Sequence, residues 1–313
     1  MRWLAGICLS IPVGAWLLSA TPARADEDTA RFMPADTDLV LYVNVRQLLQ
    51  SAVVKDYALE PVKSALKDND EARKALDALG IDPLRDIHTL QLAGQANTAP
   101  KVLLVVRGEF DVDKLHKAAT EYIKNNPAKG KLHEEGKLKV YEITEQDVTG
   151  FALVVDKRTV LIGRTKDYVL EAARQTEVKI KPDLKALLKE QDPKQSLWFV
   201  GVATEEIRSQ LGGDPRTAAL AGKINAVSGR LLVTESIVAD FRIHAADARS
   251  ATALARFVGE MKAFAVFAAR DIDKYGPVMA RALDSFKVSS DKSVVLLSAT
   301  ISKELISDVL PKK

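Results

Sequence analysis

The sequence predicts an α+β fold made of two tandem, sequence-related units, each an antiparallel sheet covered on one face by helices, in a ferredoxin-like or similar arrangement. Two observations predict this fold. Apolar runs of strand length, rich in β-branched and aromatic residues, alternate with amphipathic helical stretches, and the same order of elements occurs twice along the chain. Strands joined by tight turns pair antiparallel, and an amphipathic helix buries its apolar face on a sheet.

The two units are predicted at 36–182 and 183–313, after a short extension at 26–35. Each unit opens with an apolar strand entered from a proline turn, at 39–45 in the first unit and 197–202 in the second. The linker between them is short, so we expect the units to pack together.

The remaining elements follow in the same order in both units. Helices end at Gly-x-Asp-Pro stops, because glycine tolerates the left-handed conformation and proline cannot continue a helix. The predicted pairs are the stops at 80–83 and 212–215, strands at 86–92 and 224–234, strands at 101–110 and 236–244, helices capped by Asp111 and Asp247, hairpins leading into strands at 156–162 and 291–297, and helices capped by Thr165 and Ser302.

The first 25 residues have the pattern of a secretory signal peptide. Arg2 gives a positive start, an apolar run extends from Trp3 to Ala20, and Ala23 and Ala25 form the A-x-A pattern of a cleavage site. We therefore expect export to the periplasm or the extracellular space, with no stable membrane insertion after cleavage. The alternative is an uncleaved anchor, since the run has about the length of a short spanning helix.

Composition excludes several classes of protein. With 47% apolar and 28% charged residues, the chain falls in the ordinary globular range and not among disordered or disulfide-rich proteins. Cleavage would remove Arg2 and Arg24 and lower the formal net charge from +3 to +1, so we expect no nucleic-acid partner. It would also remove Cys8, the one cysteine, and with it any thiol nucleophile or cysteine-ligated metal.

Two segments of the first unit resemble a known family. FMPADTDLVLYVNV begins at Phe32, and LGIDPLRDIHTLQLAG begins at Leu79. They resemble a large group of secreted bacterial proteins of unknown function, which open with a Pro-Ala-Asp-Thr motif before the first strand and carry a Leu-Gly-x-x-Pro-x-x-Asp turn later. The resemblance implies export and an α+β repeat build, and it supplies no active site.

The histidines and carboxylates do not form a recognisable metal site. No two of His88, His116, His133 and His244 have the spacing of a zinc helix, and we expect His88 and His244 to be structural residues in strands. Two Asp-x-Asp runs could bind a metal, at 111–113 and 271–273. However, Asp111 is predicted to cap a helix, and neither run has the further ligands of a calcium loop. No catalytic, cofactor or metal residue is therefore predicted.

Serine-based catalysis has no motif to support it. The chain lacks a Gly-x-Ser-x-Gly elbow, a Ser-x-x-Lys set and the glycine-rich loops of nucleotide-binding proteins. Ser51, Ser64 and Ser285 fall in helical stretches without an identifiable base. A site assembled from distant residues stays open, because sequence order does not define a triad.

One stretch could carry binding. Residues 250–283 are helical in pattern, with a break at Gly276-Pro277. We expect the apolar residues of this stretch to be core that roofs the second sheet; the alternative is a groove for an apolar ligand. These residues are Phe257, Val258, Met261, Phe264, Ala265, Phe267 and Ala268.

The function expected from these features is that of a non-enzymatic exported protein of the envelope or extracellular space, serving as a protein-binding or structural module. An unknown protein partner is expected, and no cofactor. The alternatives are a carrier of an apolar small molecule and, next, a hydrolase with a dispersed site.

Overall fold

The computed structural model describes residues 27–95, 101–145, 147–211, 215–270 and 276–309. The predicted signal peptide lies outside the described residues. The chain forms a large antiparallel sheet with helices, which confirms the α+β class.

The sheet has twelve strands within the described ranges. They are β1 (Leu39–Asn44), β2 (Ile87–Gly94), β3 (Val102–Gly108), β4 (Gly130–Glu135), β5 (Leu138–Glu145), β6 (Val148–Asp156), β7 (Thr159–Gly163), β8 (Leu197–Val202), β9 (Ile224–Val233), β10 (Ile237–Ala245), β11 (Lys287–Asp291) and β12 (Val294–Ile301). Their order across the sheet is β11-β12-β10-β9-β8-β1-β2-β3-β7-β6-β5-β4, and every neighbouring pair is antiparallel.

The helices connect the strands and cover the sheet. They are α1 (Glu27–Ala30), α2 (Val45–Gln50), α3 (Leu59–Asp68), α4 (Asp70–Leu79), α5 (Pro83–Asp86), α6 (Val112–Asn125), α7 (Lys166–Arg174), α8 (Pro182–Lys189), α9 (Glu205–Leu211), α10 (Pro215–Ala221), α11 (Ala248–Arg270), α12 (Gly276–Asp284) and α13 (Lys303–Val309). A π-helical turn at Val54–Ala58 precedes α3. In the part of the chain that is described, no helix is both long and apolar enough to cross a bilayer.

The strands of the two predicted units form one continuous sheet. The first strands of the two units, β1 and β8, pair with each other, so that Tyr42 lies opposite Trp198 and Val40 opposite Val200. All four of these side chains are buried, and Leu184 of α8 packs on them in the same cluster. The junction between the halves is therefore a core.

Helices lie on both faces of the sheet, and the prediction that they cover one face is wrong. Alternate residues of a strand point to opposite faces. In β3, Leu103 and Val105 pack in one cluster with Val169 of α7, whereas Val106 packs in another with Leu115 of α6. The reason is that β3 is apolar at consecutive positions, as strands buried on both faces are.

The first helix stop is confirmed. Helix α4 ends at Leu79, and Gly80 follows in the left-handed conformation with φ 68°. The Asp82 side chain then caps α5, which begins at Pro83. The corresponding stop of the second unit falls largely on residues 212–214, which lie outside the described residues.

The two aspartate caps are also confirmed. Asp111 Oδ1 accepts from the Lys114 amide at 3.0 Å at the start of α6. Asp247 Oδ1 accepts from the Ser250 amide at 2.7 Å at the start of α11. Each bond satisfies an amide that the first helical turn leaves free.

One hairpin of the sheet was not predicted. Strands β4 and β5 extend the first half by two strands beyond β6. Val140 and Tyr141 of β5 are buried, but the charged residues around them hide the strand pattern in the sequence. The first half therefore contributes seven strands and the second half five.

Candidate functional site

The C-terminal half of α11 is apolar on both of its sides. Ala269 is buried against the fold, whereas Phe264 and Phe267 are 66% and 67% exposed. Met261, one helical turn before Phe264, is 48% exposed. Positions three residues apart share one side of a helix, so these three side chains form one exposed apolar surface, here called the outer face of α11.

The rest of α11 fixes the position of this face. In its N-terminal half, Ala251 and Leu254 are buried with Val295 of β12. Further along, Lys262 Nζ donates to the carbonyl oxygens of Asp284 and Phe286, at 3.0 and 2.6 Å. Because carbonyls at the end of a helix lack intrahelical partners, this lysine ties α11 to the end of α12. The outer face is thus presented by an anchored helix.

The expectation that these side chains are core is wrong for the outer face. Phe257, Val258 and Ala265 are half-buried, as a core position allows, but the three residues of the outer face and Ala268 are exposed. A helical spacing of apolar residues identifies a face, and it cannot say which face is inside when both are apolar.

A groove lies beside α11, but it is not the apolar groove that was the alternative, because the phenylalanines do not line it. Its volume is about 460 Å³, and Lys262, Val266, Asp284 and Val288 contribute to its lining. A charged lysine and aspartate at its wall do not match an apolar ligand. Residues 271–275, between Arg270 of α11 and Gly276 of α12, lie outside the described residues, so the break at Gly276-Pro277 stays a prediction.

Each histidine has one polar partner. His88 and His244 lie in strands, as expected. The contacts are His88 Nε2 to Glu109 Oε1 at 3.6 Å, His116 Nδ1 to Tyr141 Oη at 2.6 Å, His133 Nε2 to Glu142 Oε2 at 2.5 Å and His244 Nε2 to Ser228 Oγ at 3.3 Å. Among the described residues, no three His, Cys, Asp or Glu side chains are placed to hold a metal ion.

The contact between Ser228 and His244 has the residue types of a nucleophile and its base. The serine is buried in β9 and the histidine lies on β10. Burial lowers the pKa of His244, while the charge of Glu190 acts in the opposite direction. The imidazole is therefore biased toward its neutral form, which a general base requires.

The surroundings of this pair leave no room for a substrate. The cavity beside Ser228 holds about 10 Å³, roughly the space of one water molecule. Two ion pairs close it, from Arg230 to Asp240 and from Arg242 to Glu190, both at 3.0 Å. The hydrolase alternative gains no support at this position.

The serines noted in the sequence lie in or beside helices. Ser51 Oγ donates to the Leu48 carbonyl at 2.7 Å, and Ser285 Oγ donates to the Ala282 carbonyl at 2.6 Å. Ser64 is exposed on α3. Local bonds to backbone carbonyls are the usual state of such hydroxyls at helix ends.

The structure describes the first of the two Asp-x-Asp runs, at 111–113, but not the second, at 271–273. Asp111 is the cap of α6, and Asp113 lies in its first turn, where the helix dipole favours an acid. Asp271 and Asp273 lie outside the described residues.

Among the comparisons with known proteins, the one with solved structures gives a likeness. No protein-family model matches the sequence, and no curated protein matches it. The crystal structure titled "Structure of crystal form I of TP0453" is similar over 92% of this chain and 98% of that chain, with 12% sequence identity and a TM-score of 0.47. A likeness at this level identifies neither a shared fold nor a shared activity.

Proposed function

We propose that this chain is an exported, non-enzymatic binding module that docks a protein partner on the outer face of α11. The observation that carries the proposal is the exposure of Phe264 and Phe267, about two thirds of each side chain, on one side of an anchored helix. Contiguous exposed apolar surface marks interaction sites. Export rests on the signal pattern at 1–25.

The spacing of the outer face favours a partner with an apolar groove. Met261, Phe264 and Phe267 lie three residues apart, and anchors at i and i+3 are part of the pattern of a helix that lies in a groove. Glu260 and Arg256 are exposed one and two turns before Phe264, and polar residues at the edge of an apolar core are typical of protein interfaces.

Covering this face would release a useful amount of free energy. The two phenylalanines and the methionine leave on the order of 300 Å² of apolar surface in water. At about 25 cal/mol per Å², its burial contributes several kcal/mol to binding. A contribution of this size is typical of the few central residues that supply most of the binding energy of a larger interface.

Site-specific photo-crosslinking tests the proposal. A benzophenone analogue of phenylalanine replaces Phe264 or Phe267 in cells that produce the protein, and the same analogue at Val62, which is 41% exposed on α3, is the control. We expect both outer-face positions to crosslink one and the same protein, and position 62 not to. That protein, once purified, should bind the wild type and the V62S variant equally and should lose about tenfold or more in affinity for F264S/F267S.

Three results would overturn the proposal. The first is the absence of any crosslink from the outer face. The second is a crosslink only to a second copy of this chain, which would make the face a homodimer interface. The third is a crosslink only to lipid, which would make it a membrane-contact surface.

We also infer that the segments 36–182 and 183–313 are duplicates within the one sheet. Supporting this, β1-β2-β3-β7-β6 run outward from the centre in one direction, and β8-β9-β10-β12-β11 run outward in the other. In each half a helix follows the third strand, α6 in the first and α11 in the second. Superposition of the two halves in a crystal structure tests the idea, and third-strand helices on opposite faces of the superimposed sheets would refute it.

A further inference from the structure

A second candidate site lies in the first half of the sheet and not beside α11. It is where α1 and the residues that follow it meet the sheet. It is a cavity of about 530 Å³ between these residues, strands β1, β2 and β3, and the turn from β6 to β7. Arg31, Phe32, Tyr42, Arg107, Arg158 and Thr159 are among the residues that line it.

The lining carries an excess of positive charge. Arg31, Arg107 and Arg158 contribute three guanidinium groups, against one carboxylate, that of Asp156. Asp156 Oδ1 accepts from the backbone amide of Arg158 at 2.7 Å. In the described parts of the chain, neither the Arg31 nor the Arg158 side chain forms an ion pair with an acid. Counted over the described residues that line it, the cavity has a formal net charge of about +2 at neutral pH.

Two of the cations are held in place by the fold. The guanidinium carbons of Arg31 and Arg107 lie 5.1 and 6.0 Å from the centroid of the buried Phe32 ring. Arg107 Nη1 also donates to Oε1 of the fully buried Gln91 at 3.2 Å. Contact with an aromatic ring and, for Arg107, a hydrogen bond donated to a buried amide oxygen restrict these side chains before any ligand arrives.

Neutral hydroxyl groups complete the lining. Thr159 and Tyr42 are buried, and burial raises the pKa of Tyr42, so its phenol stays protonated and can donate. The Thr89 hydroxyl is buried beside this phenol, but outside hydrogen-bond geometry with it or with any other described group. A buried hydroxyl without a partner costs free energy unless something binds to it.

We propose that this cavity binds a small phosphate monoester through its doubly charged phosphate group. A dianion matches the net charge of the lining, and the planar fork of a guanidinium fits phosphate oxygens in pairs. The cavity is larger than a free phosphate ion needs, so the remainder accommodates the organic part of the ester. The site does not depend on the outer face of α11.

Isothermal titration calorimetry of the full-length protein with phenyl phosphate, at low ionic strength, tests this site. We expect the wild type to bind phenyl phosphate more tightly than inorganic phosphate, and both more tightly than succinate. R31Q and R158Q should each weaken phenyl phosphate binding about tenfold or more. Both arginines are exposed, so the variants should fold, and their melting curves check this.

Two controls separate this site from general charge and from the proposed docking face. R249Q removes an exposed arginine of α11 and should bind phenyl phosphate as the wild type does. F264S/F267S should also bind it normally, whatever its effect on a protein partner. No binding by the wild type, equal weakening by R249Q, or a preference for succinate would each overturn the proposal.

Discussion

The indole ring of Trp198 stacks on the phenol ring of Tyr42, with centroids 4.9 Å apart and ring planes 10° from parallel. The two residues are directly opposite each other on β8 and β1, so the stack lies where the two halves of the sheet join. Trp198 is fully buried, and its indole nitrogen has no hydrogen-bond partner among the described residues. The junction is therefore stabilised by packing of the rings and not by the polar group of the indole.

Truncation of this ring should destabilise the whole sheet. W198A removes a fully buried side chain at the junction, and we expect the free energy of unfolding to fall by about 3–5 kcal/mol. W198F is the matched control, since it keeps an aromatic ring and removes the unpartnered nitrogen, and it should cost clearly less. Urea unfolding followed by circular dichroism measures both. Equal losses for the two variants would mean that the stack contributes little.

A glycine between two aromatic rings should not tolerate a methyl group. Gly229 lies between Phe199 and Phe241 on adjacent strands, and a Cβ at Gly229 would approach the two rings to 2.4 and 2.6 Å. We expect G229A to lower the free energy of unfolding by about 1–3 kcal/mol, because the rings must move apart. G150A is the control, because a Cβ there meets only a carbonyl oxygen at 4.0 Å. A loss in G150A as large as that in G229A would contradict this account.

The elements of the fold that could be predicted are those with local chemical signals. Strand β8 has the bounds that were predicted, because an apolar run between turn residues is recognisable by itself. Gly80 and Asp111 end and begin helices for reasons that lie within a few residues of each. The joining of β1 to β8 could not be predicted, since it depends on two strands more than 150 residues apart.

The candidate sites were harder to predict, for two different reasons. Phe264 and Phe267 were recognised as apolar residues of a helix, but the sequence does not state which side of α11 meets the sheet. No feature of the sequence indicated the cavity in the first half of the sheet. Arg31, Arg107 and Arg158 come from three separated segments, and no motif spacing connects them.

Acid should weaken the fold through two histidines. Burial lowers the pKa of His116, with a further lowering by the charge of Lys139, and burial likewise lowers that of His244. The charge of Asp113 acts against the shift at His116, and that of Glu190 acts against it at His244. In the unfolded chain both rings take up a proton near pH 6.5, so below that pH the unfolded state binds more protons.

The stabilisation from the neutral rings is therefore present above about pH 6.5 and is lost as the pH falls through that value toward the pKa of the folded state. We expect the urea concentration at the midpoint of unfolding to decrease when the pH is lowered from 7.5 to 5.5. The double variant H116Q/H244Q should show a smaller fall over the same range. A slope unchanged by the two substitutions would assign the pH dependence to other groups.

The final prediction separates the two sides of α11. Leu254 is buried on the inner side, whereas Phe264 and Phe267 are mostly exposed. L254A should lower the free energy of unfolding by about 2–5 kcal/mol, because it leaves a cavity against β12. F264S/F267S replaces two large apolar side chains. It should nevertheless change the free energy of unfolding by about 0.5 kcal/mol or less per site, as substitutions of exposed residues do. Urea unfolding of the purified protein compares them directly. If the serine variant loses as much stability as L254A, the phenylalanines are covered by the protein's own chain, and the outer face is not free to bind a partner.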